Sequence, residues 1–307
     1  MKKEIRRVQA PKGILVPLIE RFMESNAVDI SSPDDVKFLE YLATKMMRRE
    51  EDRRIEGLGV FGPSSLGDPC LRKAYLTRHA VRPAGAPSPY NFRSHYFFLT
   101  GNFLHIKWQF VLYKLERWIA NSSVFRVHGY EIPVKSKHGD HGGTIDALAL
   151  IYEEPFVLDF KGLNMWSSKK VGFGNISRQY RTQVADYMLL WNSQRSKPFE
   201  VKRSLLVVED KSAGKDVLQE AVITLAEDGR RARRRLEALR AHEAAGTIPA
   251  PKCKSLKDRN FTGCQFRNIC HDEVAVTDKA RTESMRAMLK DAQTTPQRIS
   301  TVLKRKK

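Results

Sequence analysis

Apolar residues recur at helical spacing over the first part of the chain and alternate with polar ones in its middle. Ser32-Pro33-Asp34-Asp35 supplies a cap, a first-turn proline and acids set against the helix dipole. These predict a helix through Val36, Leu39, Leu42 and Met46 towards Arg53, broken by Gly57, Gly59, Gly62 and Pro63. Ser64 or Ser65 can cap a short helix carrying Cys70 and Tyr75. After a proline-rich loop at 83–89, the spacing predicts a longer helix over 94–120, with Phe98, Phe103, His105, Trp108 and Leu112 on it.

Past Asn121 the period drops to two. Strands are expected over 124–134, 143–152 and 156–161, with turns at 138–142 and 153–155, making a three-stranded meander. A helix over 177–191, strands over 201–209 and 217–224, and a highly charged helix over 227–245 follow. Gly246 and Pro249 close that last helix. The order predicts an α/β fold with a mixed central sheet flanked by helices.

The 307 residues can bury a large core, and 41% hydrophobic with 29% charged residues is an ordinary globular balance. Charge changes the picture. Lys and Arg total 54 against 35 acids, a net +19, which favours a polyanionic partner over a merely basic surface. No apolar run approaches the ~20 residues of a membrane span, and the basic N-terminus leads into no apolar stretch, so a cytoplasmic location is expected. Four cysteines are too few for a disulfide scaffold; a reducing compartment points to metal binding or free thiols.

Candidate chemistry lies in Gly143-Thr-Ile-Asp146 and Val157-Leu-Asp159-Phe-Lys161. Strands pairing antiparallel through the turn at 153–155 set Asp146 against the Asp159 end of its neighbour. Period two then puts Asp159 and Lys161 on one face and turns Phe160 into the core. A bare Asp-x-Lys recurs by chance, but Val157-Leu158 places this one at the end of a buried strand. Carboxylates suit Mg²⁺ or Mn²⁺, and an ammonium beside them can orient water or stabilise charge on a phosphate.

Four motifs in order, Gly101-Asn-Phe-Leu-His105, Gly143-Thr-Ile-Asp146, Asp159-Phe-Lys161 and Gln183-Val-Ala-Asp-Tyr187, resemble the RecB-like branch of the PD-(D/E)XK nuclease superfamily. The resemblance implies a restriction-endonuclease-like core. It implies His105, Asp146 and Asp159 as ligands of Mg²⁺ or Mn²⁺, with Asp146, Asp159 and Lys161 catalytic and Lys161 serving the attacking water. Gln183 and Tyr187, one turn apart, would border the active site and the DNA strand. Glu131 falls where the family often has a glutamate, a paired strand charge being the other reading. His138 and His141 read as loop residues, and Trp108, Tyr187 and Trp166 as candidates to stack bases.

Cys70 far upstream, with Cys253, Cys264 and Cys270 after the core, resembles the iron–sulfur subgroup that includes the CRISPR-associated exonuclease and the AddB nuclease domain. That implies a 4Fe–4S cluster clasping the two ends of the fold, with a structural Zn²⁺ on the same thiols as the alternative. Phe261 departs from the family's Cys-x-x-Cys spacing. The expected organisation is a helical region at 1–63, a nuclease domain at 64–270 and a basic tail at 271–307. The expected function is a metal-dependent DNA exonuclease acting on single strands or strand ends. An endonuclease on the same core and a catalytically inactive DNA-binding adaptor are the alternatives.

Overall fold

The computed structural model describes residues 13–25, 28–56, 60–79, 92–163, 175–211, 218–258 and 264–271. Trp166 and residues 272–307 of the expected tail lie outside them. Helices α1 (Val16–Ser25), α2 (Pro33–Glu56), α3 (Pro63–Gly67), α4 (Leu71–Arg78) and α5 (Phe92–Ile119) precede strands β1 (Phe125–Lys135), β2 (Gly142–Ile151) and β3 (Glu154–Leu163). Then come α6 (Arg178–Asn192), β4 (Arg203–Asp210), β5 (Leu218–Thr224) and α7 (Leu225–Ala244). The strands lie in the order β1-β2-β3-β4-β5, antiparallel except for the parallel β3–β4 pair that α6 separates in sequence. The mixed sheet flanked by helices is the architecture that the periodicities predict.

Alternation along β3 feeds two cores. Phe156, Leu158 and Phe160 join a cluster with Leu15, Ile19 and Phe22 beside α5 residues Trp108, Leu112 and Leu115. Val157 joins the opposite cluster with Val184, Met188 and Trp191 of α6. The sheet is therefore covered on both faces, as its apolar central strands require.

Two expectations change. The stretch around Cys70 forms two short helices, because Pro69 lacks an amide proton and breaks the first. The Cys70 amide donates to Asp68 Oδ1 at 2.9 Å, making Cys70 the cap of α4, while Gly62 rather than a serine precedes α3. The four-cysteine metal clasp is also absent among the described residues. None of the four cysteines forms a disulfide. Cys270 is buried, with Cys253 and Leu256 packed against it, so these thiols behave as small apolar groups.

Helix α2 starts as its cap predicts and is anchored by Asp35. That buried carboxylate accepts the amides of Ser31 (3.1 Å) and Ser32 (3.0 Å) and the Lys114 ammonium of α5 (3.0 Å). Burial pushes its pKa up, but these donors outweigh burial and hold it at about 2, below the ordinary 3.8. Since the folded-state pKa lies below the unfolded one, the stabilisation is present above 3.8 and is lost as pH falls towards about 2. Asp35→Asn should therefore lower stability at neutral pH and flatten the acid limb of an unfolding-versus-pH curve in that window. An acid limb identical to wild type would refute the anchor.

Candidate active site

Helix α5 and strands β1–β3 bring the charged residues together. The β2–β3 ladder ends at Ala147↔Leu158. There the Asp146 carboxylate takes over, its Oδ2 accepting the Phe160 amide at 3.0 Å. His105 Nδ1 from α5 lies 3.0 Å from the same oxygen. In β1 the pairs Tyr130↔Ala147 and Ile132↔Ile145 flank Glu131, which places it across from Asp146. Glu131 has φ +47°, a left-handed conformation that costs a side-chain-bearing residue about 1–3 kcal/mol. The alternation of β1 breaks there: Tyr130 packs on one core and Ile132 on the other.

Ligand atoms of His105, Glu131 and Asp146 all lie within 4.8 Å of one another. Like charges facing each other across a strand pair are destabilising, and here both carboxylates are buried. His105 Nδ1 is buried and makes no hydrogen bond, despite its closeness to Asp146. A buried nitrogen lone pair beside two convergent carboxylates fits a divalent cation. The sequence reading named His105 and Asp146 for this group and left Glu131 open.

Asp159 and Lys161 adjoin this group. Lys161 Nζ lies 2.9 Å from Asp159 Oδ1 and 2.8 Å from Oδ2. Burial raises the Asp159 pKa, and the nearby Asp146 charge adds to it against the pull of Lys161 and His105. Burial draws the Lys161 pKa down, but the carboxylates of Asp159 and Asp146 prevail and hold it above the usual ammonium range. Paired with Asp159 in this way, the Lys161 ammonium is placed to donate hydrogen bonds.

Two neighbours, Gln109 and Tyr180, were not legible in the motif spacing. Gln109, one turn beyond His105 and fully buried, donates to Glu131 Oε1 (2.7 Å) and to the Asp146 carbonyl (2.8 Å). Its i+4 spacing from His105 is the signal that could have found it. Gln183 and Tyr187 are both buried on α6. A Cβ at Gly143 would lie 2.8 Å from Pro63 Cδ and 3.1 Å from Tyr187 Cε1, which explains why a glycine precedes Asp146 at this spacing. Tyr180, on the same α6 face, has its phenol pushed up by burial, with Lys161 and Asp159 acting on it in opposite senses.

Trp108 and Tyr187 are only 3% and 6% exposed, which removes both as base-stacking platforms. His141 lies in the turn before β2, as expected, but its side chain is buried, with its Nε2 2.6 Å from Oδ2 of the buried Asp186.

The expected 4Fe–4S cluster, and the alternative zinc, are corrected here. Cys70, Cys253, Cys264 and Cys270 line one cavity of about 350 Å³. Among the described residues, however, the cysteine sulfurs form no group of three within 4.8 Å of one another. Zn–S bonds of about 2.3 Å would bring tetrahedral ligands closer than that. Burial pushes the Cys253 thiol up to about 11, with Asp258 and then the other three cysteines adding to it. The likeness to the iron–sulfur subgroup falls with the cluster.

Residues 73–271 match the PD-(D/E)XK nuclease superfamily. No curated protein matches the chain. Among solved structures, SSO0001 is similar at 14% identity, covering 84% of this chain and 96% of its own, with a TM-score of 0.36. The alkaline exonuclease LHK-Exo from Laribacter hongkongensis is similar at 15% identity, covering 62% of this chain and 95% of its own, with a TM-score of 0.37. The same enzyme in complex with dAMP scores 0.37 at 15% identity. Likenesses this loose add nothing to the superfamily match.

Proposed function

The chain belongs to the PD-(D/E)XK nuclease superfamily, and from that premise we propose that it is a metal-dependent deoxyribonuclease that shortens single strands or strand ends. One observation carries the reading: the His105–Glu131–Asp146 group stands beside the Asp159–Lys161 pair. His105, Asp146 and Asp159, with Glu131 added, would hold Mg²⁺ or Mn²⁺. That cation supplies charge that polarises a phosphate and acidifies water.

The protein's own groups do the rest. Lys161, paired with Asp159, donates to the scissile phosphate or aligns the attacking water, stabilising charge as it develops. Gln109 fixes Glu131 and the Asp146 main chain, and so holds the carboxylates opposed. Gln183 and Tyr187 support the site from α6. The net charge of +19 supports a phosphate-rich substrate read without sequence preference. No helix among the described residues is long and apolar enough to cross a membrane. A cytoplasmic location belongs to this proposal, supported by the low cysteine content.

The test is a time course on end-labelled single-stranded and duplex DNA, with a closed circle as control, in Mg²⁺, Mn²⁺ or EDTA. Stepwise shortening that needs the cation and spares the circle is expected. A cut circle would replace this reading with an endonuclease, and cation-independent binding without cleavage would replace it with an adaptor.

A further inference from the structure

Helix α7 uses its arginines in two ways. Arg235 donates to the main-chain oxygens of Leu66 and Asp68, and Arg240 grips the Asp140 carboxylate through two hydrogen bonds of 2.7 and 2.9 Å. Those two are structural. Arg230, Arg231, Arg233 and Arg234 are exposed, while Gly229, Ala232 and Leu239 are buried on the packed side of the helix. Among the described residues none of these four makes a hydrogen bond or ion pair. Like charges this close along a helix repel by a few tenths of a kcal/mol per pair, and nothing in the packing of α7 requires them. A polyanion from outside would relieve the repulsion.

The arginine face continues towards the cysteine cavity. Arg231 lies one turn before Arg235 on the same helix, and Arg235 reaches Leu66 and Asp68. Asp68 ion-pairs with Lys73 at 2.7 Å, and both line the cysteine cavity, whose rim also carries the exposed Lys252 and Lys254. Gln179, in the first turn of α6, lines the same cavity, one helical turn before the buried Gln183. Lys73, Lys252 and Lys254 at the cavity mouth and the four arginines of α7 thus form a basic strip beside the start of α6.

We propose that this strip binds the phosphate backbone of the substrate strand beyond the nucleotide being cleaved. The proposal rests on the nuclease reading above and says where the uncut strand lies. Exposed guanidiniums without fixed partners suit sequence-independent backbone contacts, since they can follow the phosphates as the strand advances.

The test compares two variants that each lose four positive charges, both in an Asp159→Ala background so that binding is read without cleavage. One is R230Q/R231Q/R233Q/R234Q. The other, R126Q/K137Q/R195Q/K202Q, removes exposed charges elsewhere. For a single strand of about 30 nucleotides, the α7 variant should lose at least about tenfold in affinity, and its log–log salt slope should shrink by about 2 to 3. The control should change less than about threefold. A strand of about 5 nucleotides, near the smallest site size of a single-strand groove, should bind all three alike. Equal losses in both variants, equal losses at both lengths, or a loss confined to duplex would overturn the strip. R233Q/R234Q, expected to show about half the effect, substitutes if the quadruple variant fails to fold. Cation-dependent cleavage by the wild type with unchanged affinity in the α7 variant would sink the strip alone. A wild type that neither binds nor cuts DNA would sink the nuclease reading with it.

Discussion

Asp159→Ala should lower the rate of phosphodiester cleavage by at least about a thousandfold, and Asp146→Ala and Lys161→Ala should do the same within an order of magnitude. Affinity for a single strand should stay within about threefold of wild type, since on the proposed reading phosphate contacts spread over a chain of charge +19 would supply it. The loss of rate follows from the geometry of the site. Asp159 is the partner that holds Lys161 as an ammonium, and Asp146 links the β2–β3 edge to His105 and Glu131. Removing either carboxylate leaves the remaining charges without their counterparts. Single-turnover cleavage in Mg²⁺ and in Mn²⁺ checks this, alongside binding measured in EDTA. Near wild-type turnover by Asp159→Ala would reassign the site.

Asp186→Ala should lower the free energy of unfolding by about 1–3 kcal/mol, the usual result of leaving one partner of a buried hydrogen bond unsatisfied. His141 and Asp186 are 3% and 1% exposed, and their 2.6 Å contact joins the turn before β2 to the middle of α6. Burial alone raises the Asp186 pKa, and only the His141 hydrogen bond and charge oppose it. Without one partner the other is left desolvated. H141A should cost a similar amount, and the double variant less than the sum, since the second deletion removes an already orphaned group. Urea unfolding of the three variants decides it, and a single-variant loss below about 1 kcal/mol would mean water reaches the pair.

Local periodicity made most of the framework legible. The period of two in β2 and β3 set Asp159 and Lys161 on one face and Phe160 in the core, and the turn at 153–155 set the register that brings Asp146 to the Asp159 end. Ser32-Pro33 located the start of α2 for the same reason: a cap is written in neighbouring residues. Pairings across long separations were not legible. His141 follows a glycine turn, and nothing near it in sequence announces Asp186. Glu131 could be noted but not placed, because a left-handed backbone inside a strand leaves no mark on the apolar pattern. The cysteines show the converse. Four thiols with none left over suggested a ligand set, yet composition carries no distances, and in the fold they line a cavity without closing on a shared ion.

The one parallel pairing in the sheet also sets an order of assembly. β1, β2 and β3 are neighbours in sequence and can zip as successive hairpins as soon as they leave the ribosome, since short loops close at little entropic cost. β4 cannot join β3 until α6 and both its connections have been synthesised, for Asp159 pairs with Leu206. The carboxylates of Glu131, Asp146 and Asp159 therefore gather on the nascent chain while the far half of the protein is still being made. The exposed edge of β3 at that stage is the point most open to mispairing with another chain.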